Sequence, residues 1–477
     1  MKSKRGILTL LIAGFIFILP FKPAYAYPLS EHPNPLSNLT SGSFVITSDP
    51  QFPWTDKTDR NESESPEEKL NRSSQLIAEQ YTSINQYVHS LANPPLLTPV
   101  LINGDVTAYG HGKEFLDLFG TDEWGKITEI SHILGSPVYL GLGNHDIQNN
   151  YKNSDTGDNG CTNNGCIYNS FLNYFGNVLG EIPTTNFDMK MGNPNASASN
   201  PTQQYSGSFA YSTDIGPIHS IQLNNYPTMT FPDKTVSTKG GRITFTLESS
   251  LDWLEKDLEQ ASVAGKPIVI NLHEPDGWGW DPDTFSPSKY PNLESGPNQR
   301  FINLLKTYDV KAVFAGHHHE KYGLYETDYK QYFGDVPVFL SGSAPNKTYL
   351  IAEYKENELK VYGVKNNDWK NKSLLKTIDI HNSNNIDDWN NSTPSNNTLQ
   401  TIDKGFGQLY FSILNGTMNV AFDKSGFGIS YNDKKWDLII DGKTAYTFSE
   451  LTPVNDVATA INQLHLSVKN GFSLIQK

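Results

Sequence analysis

Cysteine is scarce in this chain. Cys161 and Cys166 are the only two among 477 residues, so a structural zinc cage built on thiolates is excluded, since such sites take four ligands. Their spacing in GCTNNGC suits a small disulfide-closed loop in an oxidising compartment, with two free thiols as the alternative. Positive charge is also short: 37 Lys and Arg stand against 51 Asp and Glu, a formal charge of −14. That excludes the basic stripe of a nucleic-acid-binding surface. A phosphorylated substrate would then need positive charge from elsewhere, and a bound metal supplies it. The GxSxG elbow, the P-loop and a Cys/His nucleophile pair are all missing. No repeat period is evident, which argues against a solenoid.

Long apolar runs are confined to the N-terminus. Lys2, Lys4 and Arg5 precede a nearly all-apolar stretch over 7–19, and AYA at 24–26 offers small residues. This predicts a signal peptide over 1–26, cleaved after Ala26, and a secreted or periplasmic protein. The alternative, a membrane anchor, needs about 20 apolar residues. No later run is long enough, so the mature chain is expected to lack a transmembrane segment.

Apolar strands alternate with helical periodicity over residues 40–365, which predicts an α/β unit. Ser65-Pro66-Glu67-Glu68 is a helix start with a capping pattern, and the helix is expected to run to about His89. Helices are also expected over about 114–133, 247–265 and 298–308, and hairpins over 208–225 and 349–364. Residues 148–205 are rich in Asn, Gly and Ser and read as surface insertions. An Asn-rich linker is expected over 366–400. Residues 401–477 alternate with Asn-Gly and Asp-Gly turns, which predicts a small, mainly β C-terminal domain with a short helix near 454–464.

Five apolar strands each end in a residue able to coordinate a metal. SFVITSD leads to Asp49 and Gln51, TPVLINGD to Asp105, and PVYLGLGNHD to Asn144 and His145. KPIVINLHE leads to His273, and VKAVFAGHHH to His317 and His319. Carboxylate, carboxamide and imidazole form a borderline-to-hard set that suits Zn, Mn or Fe. Gly104, Gly143 and Gly316 precede three of these positions and permit sharp turns and close approach. On an extended strand end His317 and His319 share a side and His318 faces away. Trp278 and Trp280, in the loop after His273, either grip a substrate or pack the loop. The FPWTD stretch at 52–56 allows the same two readings.

The order of these pieces resembles the calcineurin-like metallophosphoesterase family, whose pattern runs D-x-H, G-D, G-N-H-[D/E], a lone H, then G-H-x-H. The match spans roughly Phe44 to His319. The resemblance implies two facing mixed β-sheets flanked by helices, with two divalent cations at one rim. It implies that Asp49, Gln51, Asp105 and His319 hold one metal, and Asp105, Asn144, His273 and His317 the other. It further implies that His145, oriented by Asp146, sits beside the scissile phosphate and protonates the leaving oxygen or stabilises charge there. Gln51 stands where the family usually has His; its carboxamide is a weaker and harder donor than imidazole, which either shifts preference toward Mn, Fe or Mg or leaves Gln51 beside the ligands rather than among them. Ala108 stands where purple acid phosphatases carry a metal-bound Tyr, so the tyrosinate-iron site is not expected. The implied activity is exported hydrolysis of a phosphomonoester or phosphodiester, on a phosphorylated small-molecule or lipid substrate, by a metal-activated water. The alternative is a secreted binding or host-interaction protein on a degenerate scaffold of the same fold.

Overall fold

Segments buried on both faces read as continuous apolar runs and become parallel strands. Val100–Asn103 and Ile268–Asn271 are buried at every position, and Val310–Ala315 at all but one. The computed structural model describes residues 36, 39–92, 97–113, 122–148, 164–193, 202–238, 241–278 and 297–381. It also gives the backbone of short strands at 280–281 and 286–287 and of strands between 400 and 476. The expected signal segment, Cys161 and the 454–464 helix lie outside these residues. Cys166 is disulfide-bonded.

Two mixed sheets form the body. One has six strands in the order Ser373–Asp379, Glu358–Val364, Tyr349–Lys355, Ser41–Thr47, Val100–Asn103, Val138–Gly141. Its last three strands run parallel. The other has seven, in the order Tyr322–Tyr325, Val338–Ser341, Val310–Ala315, Ile268–Asn271, Ile218–Gln222, Tyr211–Ile215, Thr184–Phe187. Its Ile218–Gln222, Ile268–Asn271, Val310–Ala315 and Val338–Ser341 strands are parallel. The sheets meet through Phe44 and Phe314, whose rings pack edge-on at 6.1 Å, and through Asn103 Nδ2, which donates to the Phe314 carbonyl at 3.1 Å. In parallel strands all carboxyl ends lie on one side, where ligand-bearing loops of α/β sheets gather.

Helices cover the sheets. Pro66–Ser90 starts with the expected capping box, Ser65 against Glu68, and buries Ile77, Tyr81, Ile84 and Val88. Its Gln80 accepts from Thr47 Oγ1 at 2.9 Å and donates to the Thr348 carbonyl at 2.9 Å, tying the helix to the strand that leads to Asp49. Leu251–Val263 buries Leu251, Leu254 and Leu258. Pro297–Thr307 is helical, and both expected hairpins form. Among the described residues no helix is long and apolar enough to cross a membrane.

Three segments differ from expectation. Gly165–Gly180, read as surface insertion, is a helix with Ile167, Phe171, Tyr174, Phe175 and Val178 buried. Interspersed Gly and Asn hid its 3–4-residue aromatic spacing. The helix expected from about 114 is Glu123–Ser131, N-capped by Asp122. Ser373–Asp379, inside the expected linker, is an edge strand paired with Glu358–Val364. Its half-exposed alternation looked polar beside the Asn-rich flanks. Toward the C-terminus, seven strands from Gln400–Asp403 to Phe472–Gln476 form a sheet of their own.

Replacing an N-cap hydroxyl by Ala costs about 1 kcal/mol. Ser65→Ala is therefore expected to lower the unfolding free energy of the full chain by that amount, read as a lower urea midpoint by far-UV circular dichroism, without changing metal content.

Candidate metal centre

The strand ends place the candidate ligands by unusual backbone. Asp49, Gln51, Asp105 and His317 all have φ between 43 and 70°. Non-glycine residues rarely adopt this left-handed region, and when several do so together they mark a functional site. The loops brace one another. Asp49 N donates to the Gly104 carbonyl at 3.1 Å and Gln51 N to the Asp105 carbonyl at 2.9 Å. His145 N donates to Asp105 Oδ1 at 2.8 Å and His317 N to Asp49 Oδ2 at 3.0 Å. A Cβ at Gly143 would stand 2.3 Å from Asp105 Oδ1, and one at Gly104 2.8 Å from the His273 Cβ. Glycine is required at both by close approach.

Lone-pair atoms converge in the space so framed. Asp49, Asp105 and His273 each offer a ligand atom within 4.8 Å of the others, and all three are buried. Asn144 Oδ1 lies 3.0 Å from both His273 Nε2 and His317 Nδ1. His273 Nε2 is 3.2 Å from Asp105 Oδ2, and His319 Nε2 is 3.2 Å from Asp49 Oδ1. His273 is oriented by the Asn103 carbonyl, 2.8 Å from Nδ1, which leaves Nε2 to face the cluster. Asp49 Oδ1 and both carboxamide atoms of Gln51 are buried without a hydrogen-bond partner. Orphaned buried polar atoms are costly, and a cation would satisfy the two oxygens, Asp49 Oδ1 and Gln51 Oε1, though not the Gln51 amide N–H. The donor set therefore fits divalent cations.

Proton affinities carry the same message. Burial works against a charged imidazole at His273, yet the Asp105 and Asp49 carboxylates raise its pKa to about 10. His319 is likewise raised to about 10 against burial, by the Asp49 and Asp59 carboxylates beside it. His317 goes the other way, to about 4, through burial and the neighbouring His273 charge. Asp105 is held below the usual carboxylate range despite burial, by His273 and His145. The cluster demands positive charge, and a cation meets that demand through carboxylate and imidazole lone pairs together.

A family profile described as Calcineurin-like phosphoesterase matches residues 42–321, more than half of the chain. The chain belongs to the calcineurin-like phosphoesterase family. No curated protein matches. Among solved structures, a purple acid phosphatase from yellow lupin (Lupinus luteus) seeds is 12% identical, with a TM-score of 0.38 over 72% of this chain and 54% of that one. The chain thus spans about half the length of the lupin protein. A predicted phosphoesterase from Streptococcus pneumoniae is 10% identical, TM-score 0.24, over 69% of this chain and 91% of its own. Vacuolar Protein Sorting 29 from Cryptosporidium parvum is 10% identical, TM-score 0.25, over 72% and 100%.

Two expectations about this calcineurin-like site change. Asp146 was expected to orient His145. Instead its two oxygens accept from the backbone N of Val106, Thr107 and Gly143 and from Thr107 Oγ1, at 2.9–3.0 Å. Four donors occupy its lone pairs, so Asp146 clamps the loops carrying Asp105 and Asn144. Burial and the Asp105 charge push its pKa up to about 7, opposed by the backbone donors. The His145 imidazole is held by the Ala108 carbonyl, 2.9 Å from Nδ1. The other change concerns the histidine triplet. His317 is left-handed rather than extended, yet the outer two rings still reach the cluster. His318 turns to Asp276, with Nε2 at 3.0 and 3.1 Å from its two oxygens.

Other residues of this phosphoesterase site were not legible in its motifs. Asp59 accepts from His319 Nδ1 at 2.7 Å, and Trp54 packs edge-to-face on His145 at 5.2 Å. The FPWTD stretch thus borders the site. Trp278 instead packs its loop against Tyr226, Phe301, Tyr332 and Phe333, while the side chain of Trp280 lies outside the described residues.

Gly143→Ala is expected to displace the Asp105 carboxylate. Metal analysis of the purified variant should show loss of bound cation while the far-UV spectrum stays wild-type; full retention of metal would refute the close-approach argument.

Proposed function

We propose that the chain is an exported, dinuclear metal-dependent phosphoesterase that hydrolyses a phosphomonoester or phosphodiester. The observation that carries this reading is the convergence of buried carboxylate, carboxamide and imidazole lone pairs, with Asp49 Oδ1 and Gln51 left unpartnered. Asp49, Gln51, Asp105 and His319 would hold one cation, and Asp105, Asn144, His273 and His317 the other. Bound there, two divalent cations clamp a phosphoryl group and activate a water. Zn, Mn or Fe suits the donors, with Gln51 favouring Mn or Fe over Zn.

The chain's own residues supply the rest. A carbonyl only accepts, so the Ala108 carbonyl keeps a proton on His145 Nδ1, and Nε2 is the atom that takes or gives a second one. Asp105 Oδ1 fixes the His145 backbone at 2.8 Å. The imidazole is thereby fixed beside the cluster, where it would protonate a departing oxygen. Export rests on the basic start, the short apolar run and AYA at 24–26.

His145→Ala should keep both metals and lose about 10²–10⁴-fold in turnover of an aryl phosphate or aryl phosphodiester. Asp105→Asn should lose metal and turnover together. A wild-type chain without metal or turnover under any divalent cation would favour the binding-protein reading. Gln51→His should tighten one of the two metal equivalents, read by chelator competition. N-terminal sequencing of the exported protein should begin at Tyr27.

A further inference from the structure

Asp59 links two parts of the site that no sequence pattern joins. Its Oδ1 accepts from His319 Nδ1 and from Trp54 Nε1, both at 2.7 Å, and its Oδ2 accepts from Asn346 Nδ2 at 3.2 Å. The carboxylate is 11% exposed. Trp54 packs edge-to-face on His145 at 5.2 Å and on His319 at 6.0 Å, and Lys69 Nζ lies 5.2 Å from its ring centre. The turn bearing Asp59 is itself held. Thr55 caps it by accepting from Thr58 N, and Arg72 grips Asp56 with two nitrogens at 2.6 and 2.7 Å.

A carboxylate accepts hydrogen bonds and donates none, so His319 keeps its proton on Nδ1 and turns the Nε2 lone pair toward Asp49 Oδ1. The same oxygen satisfies the indole N–H, which needs an acceptor when half-buried. The ligand ring and the indole therefore cannot shift independently. We propose that Asp59 is a positioning residue that sets His319 as a metal ligand and holds Trp54 against His145. Affinity at the Asp49–His319 side and the orientation of the proton-transferring imidazole are coupled through this one carboxylate. The inference rests on the two-metal reading above.

Mn(II) binding to the full chain, by equilibrium dialysis with chelator competition, tests it. Wild type is expected to bind two equivalents. Asp59→Asn should weaken one of them by about 10–100-fold and leave the other unchanged, and Asp59→Glu should recover part of that affinity. Trp54→Phe should keep both equivalents while kcat on an aryl phosphodiester falls about tenfold or more at little-changed KM. Two unchanged equivalents in Asp59→Asn, or equal weakening of both, would overturn the coupling and leave the two-metal reading standing. Unchanged kcat in Trp54→Phe would remove the Trp54 half. A wild-type chain that binds no Mn(II) would overturn both readings at once.

Discussion

Buried lone pairs of like character repel one another unless positive charge lies among them. Asn144, His273 and His317 bring such atoms to 3.0 Å in pairs, Asp105 comes to 3.2 Å from His273, and buried Asp49 comes to 3.2 Å from His319. Hydrogen bonds leave this cluster incomplete, because Asp49 Oδ1 and Gln51 Oε1 find no donor. Much of the rest of the rim serves to keep these groups together against that repulsion. The left-handed backbone at Asp49, Asp105 and His317, the glycines at 104 and 143, and the cross-loop bonds to Asp105 and Asp49 all resist its relaxation. Strain of about 1–3 kcal/mol per such residue persists only where surrounding structure over-determines it.

The scaffold makes this affordable by topology. Parallel strands from two sheets end at one rim, so five loops reach a common space without long excursions. The sheets are joined near that rim by Asn103, whose side chain bonds the Phe314 carbonyl and whose own carbonyl orients His273. One residue thus takes part in both sheet packing and ligand orientation. Asp146 does similar work between the Asp105 and Asn144 loops, and its burial is tolerable because four donors surround it.

How much of this was legible depended on what kind of group did the work. Residues at the ends of apolar strands were readable, since a buried strand ending in Asp or His leaves a mark in the letters. The helix at Pro66–Ser90 was readable because its cap is local. The Gly165–Gly180 helix was not, because Asn and Gly diluted its apolar stripe. The Ala108 carbonyl that holds the His145 ring was not, because a backbone carbonyl has no letter, whereas Asp146 is adjacent in sequence. Asp59 escaped because its partner His319 lies 260 residues away. Second partners of a ligand are set by tertiary contact, and no spacing rule announces them.

An acidic chain that handles phosphate must separate its general repulsion from its local attraction. At −14 the chain as a whole repels anions, but screening confines that field to about 10 Å at ordinary salt. Within the rim the carboxylates of Asp49 and Asp105 would cradle cations under the proposed function, so negative charge there would become the means of presenting positive charge to a substrate. Lys69, half-buried over Trp54, has its pKa lowered by burial, and the neighbouring Glu64 opposes the fall. A side-chain cation so placed carries a single charge, where two divalent cations would carry four. On the proposed two-metal reading, substrate attraction would follow cation occupancy more closely than net protein charge.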